Sequence, residues 1–300
     1  MSSSGKGRAY ARVALAGNPS DGYGGRTLAV TVRDFAAEAT AVAAEADELI
    51  SPGPGGEELM GATLTRFRAR LGAPQRVRLK CETNVPREVG LAGSSAIVIA
   101  CARALCDLHG AVLPRDELAR LALAVEAEDL GIAAGLQDRM VQAREALVAM
   151  DFGGHPVYEE LDPAQLPPLF IAWHPDAAAP SGAVHGELRE RHASGDQHVR
   201  EAMSRLADHA AAAREALLQN DPEAFARCVD ASFDERLRMM PVDPLTAAMV
   251  DTARRAGASA NSAGSGGAIV GTLRTDDCWA RLRPALERMG ASAVRPRTGP

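Results

Sequence analysis

The residue types best suited to chemistry stand together in one short run, Pro86-Arg-Glu-Val-Gly-Leu-Ala-Gly-Ser-Ser-Ala96, which leads straight into the apolar stretch 97–108. A helix starting near Ser94 or Ser95 turns four unpartnered backbone N–H groups, and the positive end of its dipole, toward the glycine turn. Gly90 and Gly93 let backbone come close to a ligand and accept positive φ. The hydroxyls of Ser94 and Ser95 can cap the helix or ligate a hard cation. Together these groups make a cradle for phosphate, although an ordinary serine-capped helix after a glycine turn uses the same residues. Two common phosphate loops are excluded. The P-loop needs a lysine at its helix start, and the last lysine of this chain is Lys80. The dinucleotide fingerprint needs three spaced glycines and a later acidic residue, which Gly90-Leu-Ala-Gly93 does not provide.

Two further segments are rich in turn residues. One is Ala11-Arg-Val-Ala-Leu-Ala-Gly-Asn-Pro-Ser-Asp-Gly-Tyr-Gly-Gly25; the other is Ala260-Asn-Ser-Ala-Gly-Ser-Gly-Gly-Ala-Ile-Val-Gly271. In order with the central Gly-Leu-x-Gly-Ser-Ser-Ala, they resemble the three signature motifs of the GHMP kinases (galactokinase, homoserine kinase, mevalonate kinase, phosphomevalonate kinase) over almost the whole chain. The combination of Gly17-Asn-Pro-Ser-Asp21, Gly90-Leu-Ala-Gly-Ser-Ser-Ala-Ile97 and Ala134-Gly-Leu-Gln-Asp-Arg139 is most similar to the glucuronokinase branch of the sugar 1-kinases. The resemblance implies an α+β fold of two domains. A ribosomal-S5-like domain would span residues 10–166 and a ferredoxin-like domain residues 167–300, with the active cleft between them. It also implies a kinase that uses ATP and Mg²⁺ on a sugar or uronic acid.

Phosphoryl transfer needs the phosphates held, Mg²⁺ placed, and the acceptor hydroxyl oriented near a base. By the resemblance, Pro86, Gly90, Leu91, Ala92, Gly93, Ser94, Ser95 and Ala96 hold the nucleotide, and Gly264, Gly266 and Gly267 approach it from the C-terminal segment. A plain turn before a strand fits those last three glycines equally. Ser95 and Glu126 would bind the metal, and Asp138 would be the catalytic base. The twelve-residue step from Glu126 to Asp138 matches that of galactokinase-type members. Read alone, Glu126 sits in an acidic patch with Glu128 and Asp129 of the kind that water covers, and Asp138 suits the first turn of a helix. Arg139 either holds Asp138 ionised, touches phosphate, or is exposed.

The galactokinase-type N-terminal loop reads Arg-Val-Asn-Leu-Ile-Gly-Glu-His-Thr-Asp. Arg12, Gly17, Asn18 and Asp21 fall on that pattern, with Asn18-Pro19 in place of Glu-His. Arg12 would support the catalytic aspartate and the transferred phosphate, while Asn18, Asp21 and Gly135 would face the sugar. Asp21 beside Gly22 is also an ordinary turn residue. No lysine stands near Arg12, which departs from the mevalonate-type members. Ala143-Arg-Glu-Ala146 departs again, standing where a Tyr-Gly-Gly turn is frequent, and leaves the acceptor open. The branch implies D-glucuronate first. A uronate carboxylate asks for an arginine or lysine in good geometry, and Arg26 and Arg144 are candidates. A heptose phosphate, a mevalonate-type alcohol, an ATP-dependent decarboxylation and a catalytically silent sugar sensor are the alternatives on the same fold.

These residues need elements to position them. Alternation predicts strands over 10–17, 26–32 and 76–83. The alanine-rich stretch 36–50 favours helix by propensity, but the resemblance implies strand, which is the reading adopted. Helical spacing of Leu59, Met60, Leu64, Phe67 and Leu71 predicts a helix over 57–71. Further helices are expected over 94–109, 114–130 and 140–146, with a strand over 146–152. In the C-terminal half, strands are expected over 169–173, 268–273 and 292–295, and helices over 187–218, 222–240, 245–256 and 276–289.

Composition sets the class. The chain has 300 residues, 46% hydrophobic and 24% charged, an ordinary globular balance. A net charge of -6 argues against a nucleic-acid surface. No run reaches the roughly 18 apolar residues of a membrane helix. Residues 1–9 lack the apolar centre of a signal peptide and read as a disordered tail. Five cysteines with no C-x-x-C pair read as reduced core thiols of a cytoplasmic protein. His185, His192, His198 and His209 read as surface residues, and the assembly as a monomer or homodimer.

Overall fold

The computed structural model describes residues 4–177 and 182–299. Ten strands and nine α-helices lie among them, in an α+β arrangement. Contacts divide the chain into two compact units. The first holds residues 1–11, 33–86 and 92–145, and the second 12–32, 87–91 and 146–300. The expected domain boundary at 166/167 remains an expectation.

In the first unit, the C-terminal half of β2 (Arg26–Ala43) pairs antiparallel with β4 (Val77–Thr83), Ala41 facing Leu79. The short β3 (Glu48–Ile50) adds a parallel neighbour to β4. Helices α1 (Gly56–Leu71), α2 (Gly93–His109), α3 (Arg115–Ala124) and α4 (Leu136–Arg144) complete it. The expected helix over 114–130 closes with a single π turn, Val125–Asp129. Such turns widen a helix locally and recur at functional positions. Helix α2 is apolar nearly all round: Ile97 to Cys101, Leu105 and Leu108 are all buried. A helix of that kind belongs inside a domain.

Of the tail expected over residues 1–9, residues 5–9 are strand instead, and residues 1–3 lie outside the described residues. β1 spans Gly5–Ala16. Gly5 and Gly7 are the reason. A Cβ at Gly5 would stand 2.1 Å from the Ala104 carbonyl, and one at Gly7 2.0 Å from that of Ala100. Two glycines let the strand lie directly on α2, and the Lys6 amide donates to Asp107. Composition alone reads Gly, Ser and Lys as a tail, because it does not show the helix they fit.

In the second unit, the N-terminal half of β2 pairs with β5 (Leu147–Asp151), and β5 with β6 (Val157–Leu161), a strand that short polar alternation did not announce. A second, antiparallel sheet has the order β10 (Ser292–Val294), β7 (Leu169–Trp173), β9 (Ala268–Thr272), β8 (Asn261–Ser262). Phe170, Ile269, Phe233, Met249, Leu282 and Leu286 form the core shared by this sheet with α7 (Pro222–Met239), α8 (Pro244–Arg255) and α9 (Asp276–Arg288). The long helix expected over 187–218 is two: α5 (Gly182–Ala193) stops before Gly195, and α6 (Gln197–Leu218) restarts on Asp196. The Asp196 side chain accepts the Val199 amide. Aspartates or threonine cap α6 to α9 in this way. His209 is half-buried rather than superficial, and that burial lowers its pKa.

Candidate active site

No helix of the first unit has a side-chain N-cap. At α2 this removes the capping role from the two serines. The N-cap residue is Ala92, in left-handed conformation at φ 61°. Ser94 and Ser95 do not cap the helix; they reach outward. Ser94 Oγ donates to Glu126 Oε1 at 2.6 Å. Ser95 Oγ donates to Gln142 Oε1 at 2.6 Å and is fully buried. Gln142 Nε2 in turn donates to the carbonyls of Ala92 and Tyr10, each at 2.9 Å. Ser95, the serine expected at the metal, is thus tied to Gln142, while Ser94 stands against the expected metal carboxylate.

Glu126 is 0% exposed. Its neighbours in the acidic patch are not: Glu128 and Asp129 hold Arg66 of α1 in an outer ion pair. The π turn separates these carboxylates, sending Glu126 inward. Arg139 donates to Glu126 Oε2 from Nε at 2.7 Å and from Nη2 at 2.5 Å. A buried carboxylate needs such a partner, because desolvation without one is costly. Arg139 Nη1 also donates to the Gly135 carbonyl at 2.9 Å and approaches Asp138 Oδ2 at 3.4 Å. Asp138 lies in the first turn of α4, where the helix dipole favours a carboxylate. Gln137 Nε2 donates to its Oδ1 at 3.2 Å, and the Gln137 Oε1 atom is buried with no hydrogen-bond partner. One arginine therefore joins the two acids that sequence placed twelve residues apart.

Mg²⁺ takes oxygen ligands and is usually held by one or two carboxylates plus phosphate oxygens and water. Among the described residues no group of three or more His, Cys, Asp or Glu side chains gathers as a metal cluster. The adjacent oxygens of Ser94 and Glu126 fit the smaller demand of a phosphate-bridged Mg²⁺.

In the second unit the C-terminal glycine segment packs backbone to backbone against Val89 and Gly90 of the central turn. A Cβ at Gly264 would lie 2.2 Å from the Gly90 carbonyl, and one at Gly267 2.8 Å from Val89 Cα. A Cβ at Gly90 would meet Gly266 O at 2.8 Å. Gly266, at φ 142°, has open space on its own Cβ side. Buried Arg12 fastens this crossing, donating from Nη1 to Gly90 O at 2.7 Å and to Ala263 O at 2.8 Å. Asn18 and Asp21 follow on the N-terminal loop; Gly17, at φ 90°, packs its backbone onto that of Arg26. Pro86 and Gly135 close the candidates. Pro86 precedes the turn, and Gly135 starts α4.

Sequence reading passed over Arg236. It lies on α7, 2% exposed, and donates from Nη1 to Asn18 Oδ1 at 2.8 Å. Helical spacing alone would put it among the many arginines of α5 to α8. Burial, and the charge of Arg12 nearby, push its pKa down to about 10. The two arginines considered for a uronate are already engaged. Arg26 pairs with Asp151 at 2.9 Å and Arg144 with Asp116 at 2.5 Å. The 143–146 departure is the fastened end of α4, where Glu145 holds Arg103 and Arg33. All five cysteines are free thiols and four are buried. Among the described residues no helix is long and apolar enough to cross a membrane.

Comparison with known proteins agrees with these motifs. Residues 58–145 match the GHMP kinases N terminal domain. Over 88% of its length the chain is 34% identical to Glucuronokinase 1 of Arabidopsis thaliana, covering 83% of that protein. Probable glucuronokinase 2 of the same plant is also 34% identical, with 88% and 82% covered. Among solved structures, Lactococcus lactis galactokinase complexed with galactose superposes with a TM-score of 0.85 at 17% identity, 99% and 94% covered. L. major mevalonate kinase in complex with R-mevalonate gives 0.80 at 17%, with 100% and 99% covered. At such identities these two structures speak for the fold alone. The sequence relatives speak for the family: the chain belongs to the GHMP kinases, on the glucuronokinase-like branch, one of ATP-dependent sugar kinases.

Proposed function

We propose that this kinase transfers the γ-phosphoryl group of ATP to the anomeric hydroxyl of a uronic acid, with D-glucuronate the preferred acceptor. The observation that carries the reading is the buried Glu126 carboxylate, held between the Ser94 hydroxyl at the start of α2 and the Arg139 guanidinium beside Asp138. The 34% identity to two Arabidopsis glucuronokinases supports the acceptor.

In this reading the uncapped start of α2, from Gly93 to Ala96, receives the nucleotide phosphates, as an unsatisfied helix N-terminus favours anions. Pro86, Gly90, Leu91 and Ala92 shape the turn ahead of it, and Gly264, Gly266 and Gly267 serve the same nucleotide. Glu126 and Ser94 hold Mg²⁺, with Ser95 fixing the turn behind them; the ion would neutralise charge on the phosphates. Asp138 accepts the proton of the acceptor hydroxyl. Its requirement is an ionised oxygen within hydrogen-bond reach, and Arg139 beside it favours ionisation. Arg12 offers positive charge for the transferred phosphate. Asn18, Asp21 and Gly135 bind the sugar. The family domains would fall at 10–166 and 167–300, the compartment would be cytoplasmic, and the enzyme a monomer or homodimer.

A competition assay tests the reading. Glucuronate, galacturonate, galactose, glucose and mevalonate are supplied together at equal concentration with ATP and Mg²⁺, and the phosphorylated products are separated. Glucuronate 1-phosphate is expected to dominate. A neutral hexose winning by more than about tenfold, roughly 1.4 kcal/mol of transition-state discrimination, overturns the uronate assignment. Tight sugar binding with no turnover of any acceptor would identify a silent sensor, and carbon dioxide release from a mevalonate diphosphate would identify a decarboxylase.

A further inference from the structure

Arg236 carries a charge that the protein does not neutralise. Its side chain is among the largest that are fully buried. Its hydrogen bonds go to Asn18, to Oδ1 at 2.8 Å and to the carbonyl at 3.4 Å. Its Nε is buried with no partner. Among the described residues no carboxylate pairs with it, and residues 1–3, 178–181 and 300 contain no Asp or Glu side chain that could. The charge that acts on it is another cation, Arg12, of the same unit. A buried charge without a counter-ion costs several kcal/mol, and a fold keeps such a cost where a ligand repays it.

Asn18 tells what kind of ligand. A guanidinium only donates, so the Asn18 oxygen must face Arg236 and its Nδ2 must point elsewhere. Asn18 itself is half-buried. In the galactokinase-type loop that Asn18 aligns with, the residue is glutamate. Beside the buried arginine this chain thus places a neutral amide, which accepts one guanidinium hydrogen bond and leaves the positive charge uncompensated. That is a receptor for a ligand carboxylate, strongest where charge and hydrogen bond act together.

We propose that Arg236, acting through Asn18, is the positioning residue that selects the carboxylate of a uronic acid acceptor over the hydroxymethyl group of the corresponding hexose. The inference rests on the acceptor reading above and adds the residue responsible. A phosphate oxygen of the nucleotide shares the same anionic chemistry, so the test separates the two.

The experiment measures kcat/KM for D-glucuronate and D-glucose, which differ only in oxidation at C6, in the wild type, Arg236→Met, Arg236→Lys and Asn18→Asp. KM for ATP is measured with each acceptor. The expected result is a fall of about 100-fold in the glucuronate-to-glucose ratio for Arg236→Met, with partial recovery in Arg236→Lys. Asn18→Asp supplies the missing carboxylate internally. It is expected to lower the ratio while raising the melting temperature, a pairing that a merely structural role would not produce. If the wild type prefers glucuronate but the ratio stays within threefold in Arg236→Met, the inference is overturned and the acceptor reading stands. If the ratio is unchanged and KM for ATP rises with both sugars, Arg236 serves phosphate and the inference is overturned. If the wild type prefers glucose, the acceptor reading fails and the inference fails with it.

Discussion

Replacing Asp138 with asparagine separates catalysis from stability. The side chain is 18% exposed. Its neighbours on α4 include Gln137, whose Nε2 donates at 3.2 Å, and Arg139, whose Nη1 donates at 3.4 Å. Arg139 spends its short bonds, 2.5 and 2.7 Å, on Glu126. Asparagine keeps one oxygen acceptor and the same volume. What it loses in the fold is the favourable carboxylate in the first turn of α4, about 0.3–1 kcal/mol. The melting temperature is therefore expected to move by only a few degrees. What it loses in chemistry is the proton acceptor, worth roughly 10²–10⁴ in rate, or about 2.7–5.4 kcal/mol of barrier. The assay is ADP release with glucuronate at saturating ATP, alongside calorimetric titration with a non-hydrolysable ATP analogue. Turnover should collapse while nucleotide affinity barely changes. A variant that retains turnover within threefold of the wild type leaves Asp138 only its place in the first turn of α4 and removes the base from the mechanism.

Glu126→Gln is expected to behave in the opposite way. Breaking a buried ion pair costs about 3–5 kcal/mol, so differential scanning calorimetry should show a melting point lower by roughly 10 °C, and the Mg²⁺ concentration for half-maximal activity should rise; an unchanged melting point would mean that Glu126 is solvated. Gly264→Ala puts a methyl group 2.2 Å from the Gly90 carbonyl; overpacking of this kind costs about 1–3 kcal/mol, and a raised KM for ATP should accompany the loss of stability seen in urea unfolding. Asp47 tests the acid limb of stability. Hydrogen bonds from Arg68 first, then from Arg76 and the Val77 amide, hold its carboxyl well below the usual range. A lowered folded pKa means that the stabilisation is complete above the unfolded value of about 3.9 and is lost as pH falls toward the folded one. Asp47→Asn should therefore be less stable than the wild type at pH 7, with the gap closing as the pH is taken below 4; a constant gap would contradict the ion-pair account.

The sequence by itself determined the class of chemistry. Three glycine-rich segments in fixed order, and two acids twelve residues apart, are local patterns whose meaning does not depend on packing detail. Local pattern also located most elements, since the periods of helix and strand are written in consecutive residues. Where it failed, a distant partner decided. The strand at residues 5–9 exists because α2 offers a groove that only Gly5 and Gly7 fit. Tertiary structure alone could choose between Ser94 and Ser95. Adjacent residues on a helix point about 100° apart, and the rotation of α2 against the π turn turned Ser94 to Glu126 and Ser95 to Gln142. It alone sent Glu126 inward from an acidic patch whose other members face water. It alone singled out Arg236 from a crowd of arginines, because a buried charge without a counter-ion is a property of space: residues 18 and 236 meet only when the chain has folded.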